Sequence, residues 1–414
     1  MFSSASATYS LKRPARCIAS LVSKNAGQEN NEDTPRFVAG TCSLREPNEL
    51  HILGYREESN ELLCDQVLSH PDEIWGVSPS PTDPSLLMTC SNGAEAGEIL
   101  ERGGDYKVSL WKLPETDPGH DPLQDPSLGG TRTPPVEKLD EPRAEIGGLK
   151  AAATAMMWSP VPWSGTEEET VATLADGKLQ CWKLGTGRFE EAGSATVCEE
   201  AAGVVAAREA PAAAWDPHHS TNVATVVRRS VKFWDIRTMA STNTLKDAHR
   251  YAARDVDYNP NKPFCVVTCG EDRLVKFWDL RSLGRPIKSI IAHEHWVNTV
   301  KYNRFHDQLL LSGSSDCMVH LWRVSSVSSA PLLEPEEEDG AGLETEGVSG
   351  GFGLSNGTKG EGADIRVRTF DEHEESVYSV SWSACDAWVL VSLSYDGQVL
   401  LNHVPSTEKY KILL

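Results

Sequence analysis

The sequence predicts an all-β ring built from seven copies of one four-stranded unit, and three observations predict it. Tryptophans that close short apolar runs fall at Trp234, Trp278 and Trp322, 44 residues apart each time, and a period of that length marks one repeated supersecondary unit. Between Asp, Gly, Asn and Pro turns the apolar positions alternate or run on briefly, with no helical period sustained over a dozen residues. Six such units lie at about 70–113, 152–184, 211–236, 248–281, 292–324 and 373–404, and a seventh comes from FVAGTCS (37–43), ELHILGY (49–55) and ELLCDQVL (61–68). Seven four-stranded sheets set radially leave few free edges, which is how a β-propeller avoids edge-to-edge aggregation.

Taken in order, residues 1–35 read as an N-terminal extension with a possible first strand. Their first 28 residues hold no acid, four bases (Lys12, Arg13, Arg16, Lys24) and six serines. That composition superficially matches a transit peptide, but Pro14 interrupts any amphipathic helix. Residues 36–414 read as a single propeller. In its clearest unit, 248–281, strands are expected near 253–258, 264–269 and 273–279, joined by the NPNK and GED turns. Trp111 and Trp182 close similar runs, but the interval between them is stretched by a segment, about 114–150, that is dense in Pro, Asp and Gly and reads as a loop. The Ala- and Glu-rich stretch near 190–210 fits either a lengthened outer strand or a short helix. Residues 330–365 carry nine acids against one lysine and read as a disordered loop, with too little apolar surface to offset the entropy of ordering. Deleting 331–363 is therefore expected to leave the melting temperature unchanged, and a large drop in a thermal melt would overturn the loop assignment. Ring closure is left open, because either TYSLK (8–12) or EKYKILL (408–414) supplies the missing strand. The apolar Ile412-Leu413-Leu414 end is expected to be buried.

Composition narrows the function. The 414 residues are 39% apolar and 24% charged, and the net charge is −21. That charge repels phosphate backbones and anionic lipid, so no nucleic acid and no direct membrane insertion are expected. The ten cysteines are scattered, without C-x-x-C pairs or clustering with histidine, which argues for reduced packing thiols in a cytoplasmic protein and against a metal. No cofactor is expected.

One recurring set of residues looks catalytic. A histidine stands 29 residues before the closing position at His249, His293 and His373, ahead of Trp278, Trp322 and Asn402. An aspartate precedes that position by six in five units, at Asp105, Asp176, Asp272, Asp316 and Asp396, and Thr268, Ser312 and Ser392 lie four residues earlier still in the last three. A hydroxyl, an imidazole and a carboxylate together suggest an acyl-transfer triad. Yet an active site is normally built once, whereas this set repeats with the unit, so a buried structural network is the expectation. Trp234-Asp235 and Trp278-Asp279 resemble the dipeptides of the WD-repeat family, which implies a seven-bladed WD-repeat β-propeller with such a network. It also implies a truncated network where Asn402 replaces tryptophan. The protein is expected not to be an enzyme.

Longer segments carry a narrower resemblance. HPDEIWGVSPSPTD (70–83), DVDYNPNKPF (255–264), HEHWVNTVKYNRFHDQLLLSGSSD (293–316) and HEESVYSVSWSACDAWVLVSLSYDGQVLLNHVP (373–405) resemble the WD-repeat proteins that interact with the EARP and GARP tethering complexes. That resemblance implies a cytosolic adaptor whose partners are tether subunits and which sits peripherally on endosomes and the trans-Golgi network. It further implies roles in EARP recruitment, endocytic recycling, retrograde traffic and dense-core vesicle cargo sorting. The alternative rests on Trp234-Asp235-Ile236-Arg237 and Trp278-Asp279-Leu280-Arg281, which match the W-D-x-R pattern of cullin-RING substrate receptors. Trp75, His295 and Trp296, beside the interblade histidines, are candidate partner contacts, as are Arg237 and Arg281. The acidic run Glu334 to Asp339 either meets a basic partner patch or is simply solvated.

Overall fold

A computed structural model describes residues 6–22, 34–93, 105–114, 134–160, 169–185, 187–198, 209–330 and 364–413. Seven sheets, each with a core of four antiparallel strands, follow one another along the chain. Blade 1 comprises Ala15–Leu21, Arg36–Thr41, Asn48–Arg56 and Glu61–His70. Blade 2 comprises Glu73–Pro79, Leu86–Asn92, Tyr106–Lys112 and Ala144–Leu149. Blade 3 runs from Ala155–Trp158 to Phe189–Thr196, blade 4 from Ala213–Trp215 to Ala240–Leu245, and blade 5 from Ala253–Tyr258 to Lys288–Ile291. Blade 6 runs from Val297–Tyr302 to Asp364–Phe370. Blade 7 takes Val377–Trp382, Val389–Ser394 and Gln398–His403 from the chain's end.

The fourth strand of blade 7 is Ala7–Ser10, paired antiparallel to Gln398–His403 with Ala7 opposite Leu401. The N-terminal candidate therefore closes the ring. EKYKILL does not extend: Ser406–Leu413 is a helix, started by Pro405, whose carbonyl accepts from the N–H groups of Glu408 and Lys409. Proline at the mouth of a helix presets φ, and Glu and Lys are good helix formers. The expected burial of the C-terminus is corrected as well, since Leu413 is 61% exposed and Ile412 only partly covered. A short helix at the rim has one face to bury, and the other meets water.

Residues 1–35 are likewise not merely an extension. Ala15–Leu21 is the innermost strand of blade 1, so the three runs foreseen there are its second, third and fourth strands. The segment 114–150 is not all loop either. Ala144–Leu149 is the outer strand of blade 2, and Val136–Lys138 adds to blade 1 in parallel, Val136 opposite Val67. That addition covers blade 1's outer edge, a row of backbone groups open to mispairing. Phe189–Thr196 settles the first half of the Ala- and Glu-rich stretch as an outer strand. Residues 199–208 and 331–363, with the acidic run, lie outside the described residues.

The core sits between blades. Seven apolar clusters each join two neighbouring sheets. In one, Val267, Cys269, Val275 and Phe277 of blade 5 meet Val297, Val300, Tyr302 and Leu310 of blade 6. The cluster that shuts the ring joins Ala7, Leu11, Val391 and Val399 of the last blade to Ala15, Phe37 and Leu53 of the first. Strands buried on both faces account for the continuous apolar runs such as LLLSGS (309–314), every residue of which is buried.

Polar staples add to this between blades 5 and 6. The buried Asp255 carboxylate accepts from Thr299 Oγ1 and Val300 N, both at 3.0 Å, and pairs with Lys301 Nζ at 2.9 Å. The loops after the innermost strands of blades 5, 6 and 7 are each pinned by a short side chain. Asn259, Asn303 and Ser383 accept hydrogen bonds from backbone N–H groups two and three residues on, the turn chemistry expected of Asx and Ser residues.

Candidate functional site

The recurring His, hydroxyl, Asp and Trp residues come together at three blade junctions. In blade 5, His249 Nδ1–H meets Asp272 Oδ1 at 2.8 Å, His249 Nε2 lies 2.8 Å from Thr268 Oγ1, and Trp278 Nε1–H donates to that hydroxyl at 3.0 Å. The chain of donors has one consistent sense: the indole donates to the hydroxyl, the hydroxyl to the imidazole and the imidazole to the carboxylate. His249 reaches Asp272 because Gly270 leaves room, since a Cβ there would stand 2.7 Å from the Ala252 carbonyl and 3.0 Å from the imidazole ring. Blade 6 repeats the set with His293, Asp316, Ser312 and Trp322 at 3.0, 2.8 and 2.9 Å. His320 stacks on His293 with centroids 4.1 Å apart.

Blade 7 departs in the way Asn402 implies. His373 Nε2 is 2.7 Å from Ser392, but Nδ1 meets Ser394 Oγ at 2.8 Å, and that serine hands on to Asp396 at 2.5 Å. Asn402 takes no part in this chain of donors. Its Oδ1 lies 2.6 Å from Ser6 Oγ and its buried Nδ2 has no partner among the described residues.

A fourth junction went unforeseen. His70 Nε2 lies 3.2 Å from Thr89 Oγ1, which accepts from Trp111 Nε1 at 2.8 Å, while Nδ1 meets the Asp72 backbone carbonyl at 2.9 Å. Residues inserted between the second and third strands of blade 2 break the 29-residue spacing that marks the others. Asp105 is outside this network and donates its own N–H to Asn92. Asp176 likewise has no histidine, and accepts from Lys150 N. Thr173 and Thr225 carry the Trp182 and Trp234 indoles at 2.9 and 2.8 Å. They stand nine residues before the tryptophan instead of ten, and that shift hid them.

Chemically these sets are latches. The Thr89, Thr268 and Ser312 hydroxyls are each held between an indole N–H and an imidazole, Ser392 is held by His373, and all four are fully buried. Burial also governs ionisation. It alone would raise Asp272, but the hydrogen bond and charge of His249, the Arg250 N–H and Lys276 hold its carboxyl down to about 2. Desolvation pushes His70, His320 and His373 down to about 4. Their folded values lie below the ordinary 6.5, so the unfolded chain takes up protons that the folded chain refuses. Stability from these groups is complete above pH 6.5 and is lost as pH falls towards 4, with a ceiling of roughly 3 kcal/mol each. A urea midpoint that falls steeply between pH 6.5 and 4.5 is the expected result, and a flat profile would contradict it.

The candidate contacts divide between the two ends of the ring. Trp75, His295 and Trp296 lie on the end that carries the interblade histidines. Trp296 is 43% exposed, with the Arg254 guanidinium 5.0 Å over its ring and His295 at 5.2 Å. Trp75 is half-buried against Tyr106. Arg237 and Arg281 project elsewhere, and each folds back on its own aspartate: Arg237 on Asp235 at 2.9 Å and Arg281 on Asp279 at 2.7 Å. The described residues hold no helix long and apolar enough to cross a membrane.

Comparison with known proteins agrees with this geometry. A family described as "EIPR1 beta-propeller" matches residues 3–114 and 136–322, and "WD domain, G-beta repeat" matches 365–401. The chain is 34% identical over 408 residues to the EARP-interacting protein homolog of Danio rerio, spanning 98% of both chains. It is 33% identical over 391 residues to EARP and GARP complex-interacting protein 1 of Homo sapiens, spanning 94% of this chain and 95% of that one. Against WD repeat-containing protein DWA2 of Arabidopsis thaliana the identity is 27% over 396 residues, 96% of this chain and 95% of that one.

Proposed function

Because this chain belongs to the EIPR1 β-propeller family, we propose that it is a non-enzymatic adaptor that binds the EARP and GARP tethering complexes. The observation that carries this reading is similarity running end to end, 98% of both chains, to a relative named for that interaction. The latched hydroxyls support the non-enzymatic half. On this reading the protein sits peripherally on endosomes and the trans-Golgi network through its tether. There it supports EARP recruitment, endocytic recycling, retrograde traffic and dense-core vesicle cargo sorting. The exposed His295 and Trp296, with the half-buried Trp75, supply part of the contact surface, since aromatics on a rigid scaffold make strong anchors.

Affinity purification of the tagged chain, followed by identification of its partners, tests this directly. Tether subunits are the expected catch, and a cullin adaptor without tethers would overturn the reading. Replacing both Arg237 and Arg281 with alanine is expected to leave tether recovery unchanged. Their donors are already engaged by Asp235 and Asp279, and exposed pairs of this kind contribute little. Loss of tether binding in that double variant would place the contact on the wrong end of the ring.

A further inference from the structure

Arg16 lies on the innermost strand of blade 1, at the junction with blades 7 and 2. Its guanidinium carbon is 4.7 Å from the Trp75 ring, 5.2 Å from Tyr378 and 5.3 Å from Tyr395. The two tyrosines are 5.8 Å apart and each is 39% exposed. Aromatic faces attract a cation but accept none of its N–H donors in the way a carboxylate does. Arg16 has no carboxylate partner among the described residues, and its Nε is shut away from solvent without any hydrogen bond. Neighbours on the same end of the ring are different: Arg13 pairs with Glu49, Arg254 with Glu271 and Arg273 with Glu294. In a chain of net charge −21, an arginine caged by three rings with no carboxylate at ion-pair distance among the described residues needs a cause.

We propose that this caged Arg16, with Trp75, Tyr378 and Tyr395, is the docking point for an acidic side chain of a partner protein segment, the proposal resting on the adaptor reading above. A guanidinium preorganised by packing loses little freedom when a carboxylate binds across two of its donors, and the surrounding rings exclude water from the pair. The loop leading to Tyr378 limits what fits. Asp371, Glu372, Glu374 and Glu375 are all exposed there, so a run of acids would be repelled. The occupant is a segment with a single acidic side chain among apolar or basic residues.

The test uses purified full-length chain and purified EARP complex, with affinity read by interferometry and folding by thermal melt. Arg16→Met keeps the stem but removes the donors, and Arg16→Lys keeps the charge but not the two-pronged geometry. Both are expected to weaken binding at least tenfold while wild-type melting is retained, whereas Tyr410→Ala, on the exposed helix at the other end, binds as wild type. Glu374→Gln combined with Glu375→Gln is expected to tighten binding several-fold. If Arg16→Met fails to fold, Arg16→Lys, which preserves the cation within the rings, carries the test. Near-wild-type binding by the folded Arg16 variants overturns the docking point alone, as does weaker binding by the Glu374 and Glu375 variant. Failure of the wild-type chain to bind the complex overturns the adaptor reading together with it.

Discussion

A chain that begins at residue 12 is expected to lose at least roughly 5 kcal/mol of stability, because the ring is then open. Ala7–Ser10 supplies the outer ladder of blade 7, Leu11 N donates to Gly397 O at 2.9 Å, and Ala7 and Leu11 are buried in the cluster shared by blades 7 and 1. Tyr9 also reaches His51 of blade 1 at 3.0 Å. The turn that receives this strand tolerates only glycine: Gly397 has φ +83°, and a Cβ there would press into the Arg13 carbonyl. Without the strand, Gln398–His403 becomes an unpaired edge that exposes apolar side chains. The loss is read as a lower urea midpoint, and it should be partly restored by adding a synthetic peptide of residues 6–11, since an extended peptide can complete an open sheet. An unchanged midpoint in the truncated chain would show that closure contributes little.

Glu408→Ala is expected to cost about 3–5 kcal/mol, far more than an ordinary ion pair. Glu408 Oε2 meets Arg323 Nη1 at 2.8 Å with the two side chains 6% and 3% exposed, and Lys411 meets the other oxygen at 3.1 Å. The pair fastens the C-terminal helix beneath blade 6. Removing the carboxylate takes the Glu408 contact from the buried guanidinium, whereas replacing both partners, as Glu408→Leu with Arg323→Met, is expected to cost much less. A double-mutant cycle on denaturant midpoints measures the difference. Equal losses in the single and double variants would mean that helix packing, not the ion pair, carries the energy.

Some features were legible in the sequence because they are local and repeated. The 44-residue tryptophan period, the strands of blade 5 and the latches around His249, His293 and His373 all follow from fixed spacings between residues that a single turn or strand pair brings together. Where an insertion alters the spacing, as between His70 and Trp111, the same chemistry is present but its signature is broken. The outer strand Ala144–Leu149 was obscured for a related reason, standing at the end of a segment whose Pro, Asp and Gly content reads as loop. Arg16 illustrates a different limit: its three rings come from positions 75, 378 and 395, and nothing around Arg16 in the chain announces them.

By itself, then, the sequence determined the repeated unit, its all-β character, the number of blades and the polar latches within them, since hydrophobic period and turn chemistry are set by near neighbours. Only the tertiary structure decided which terminus closes the ring. TYSLK and EKYKILL carry comparable apolar patterns, and the choice depends on a partner almost four hundred residues away. Ala7–Ser10 fits the open edge of Gln398–His403 and buries its apolar face between two blades, while Pro405 turns the other candidate into a helix before it can pair.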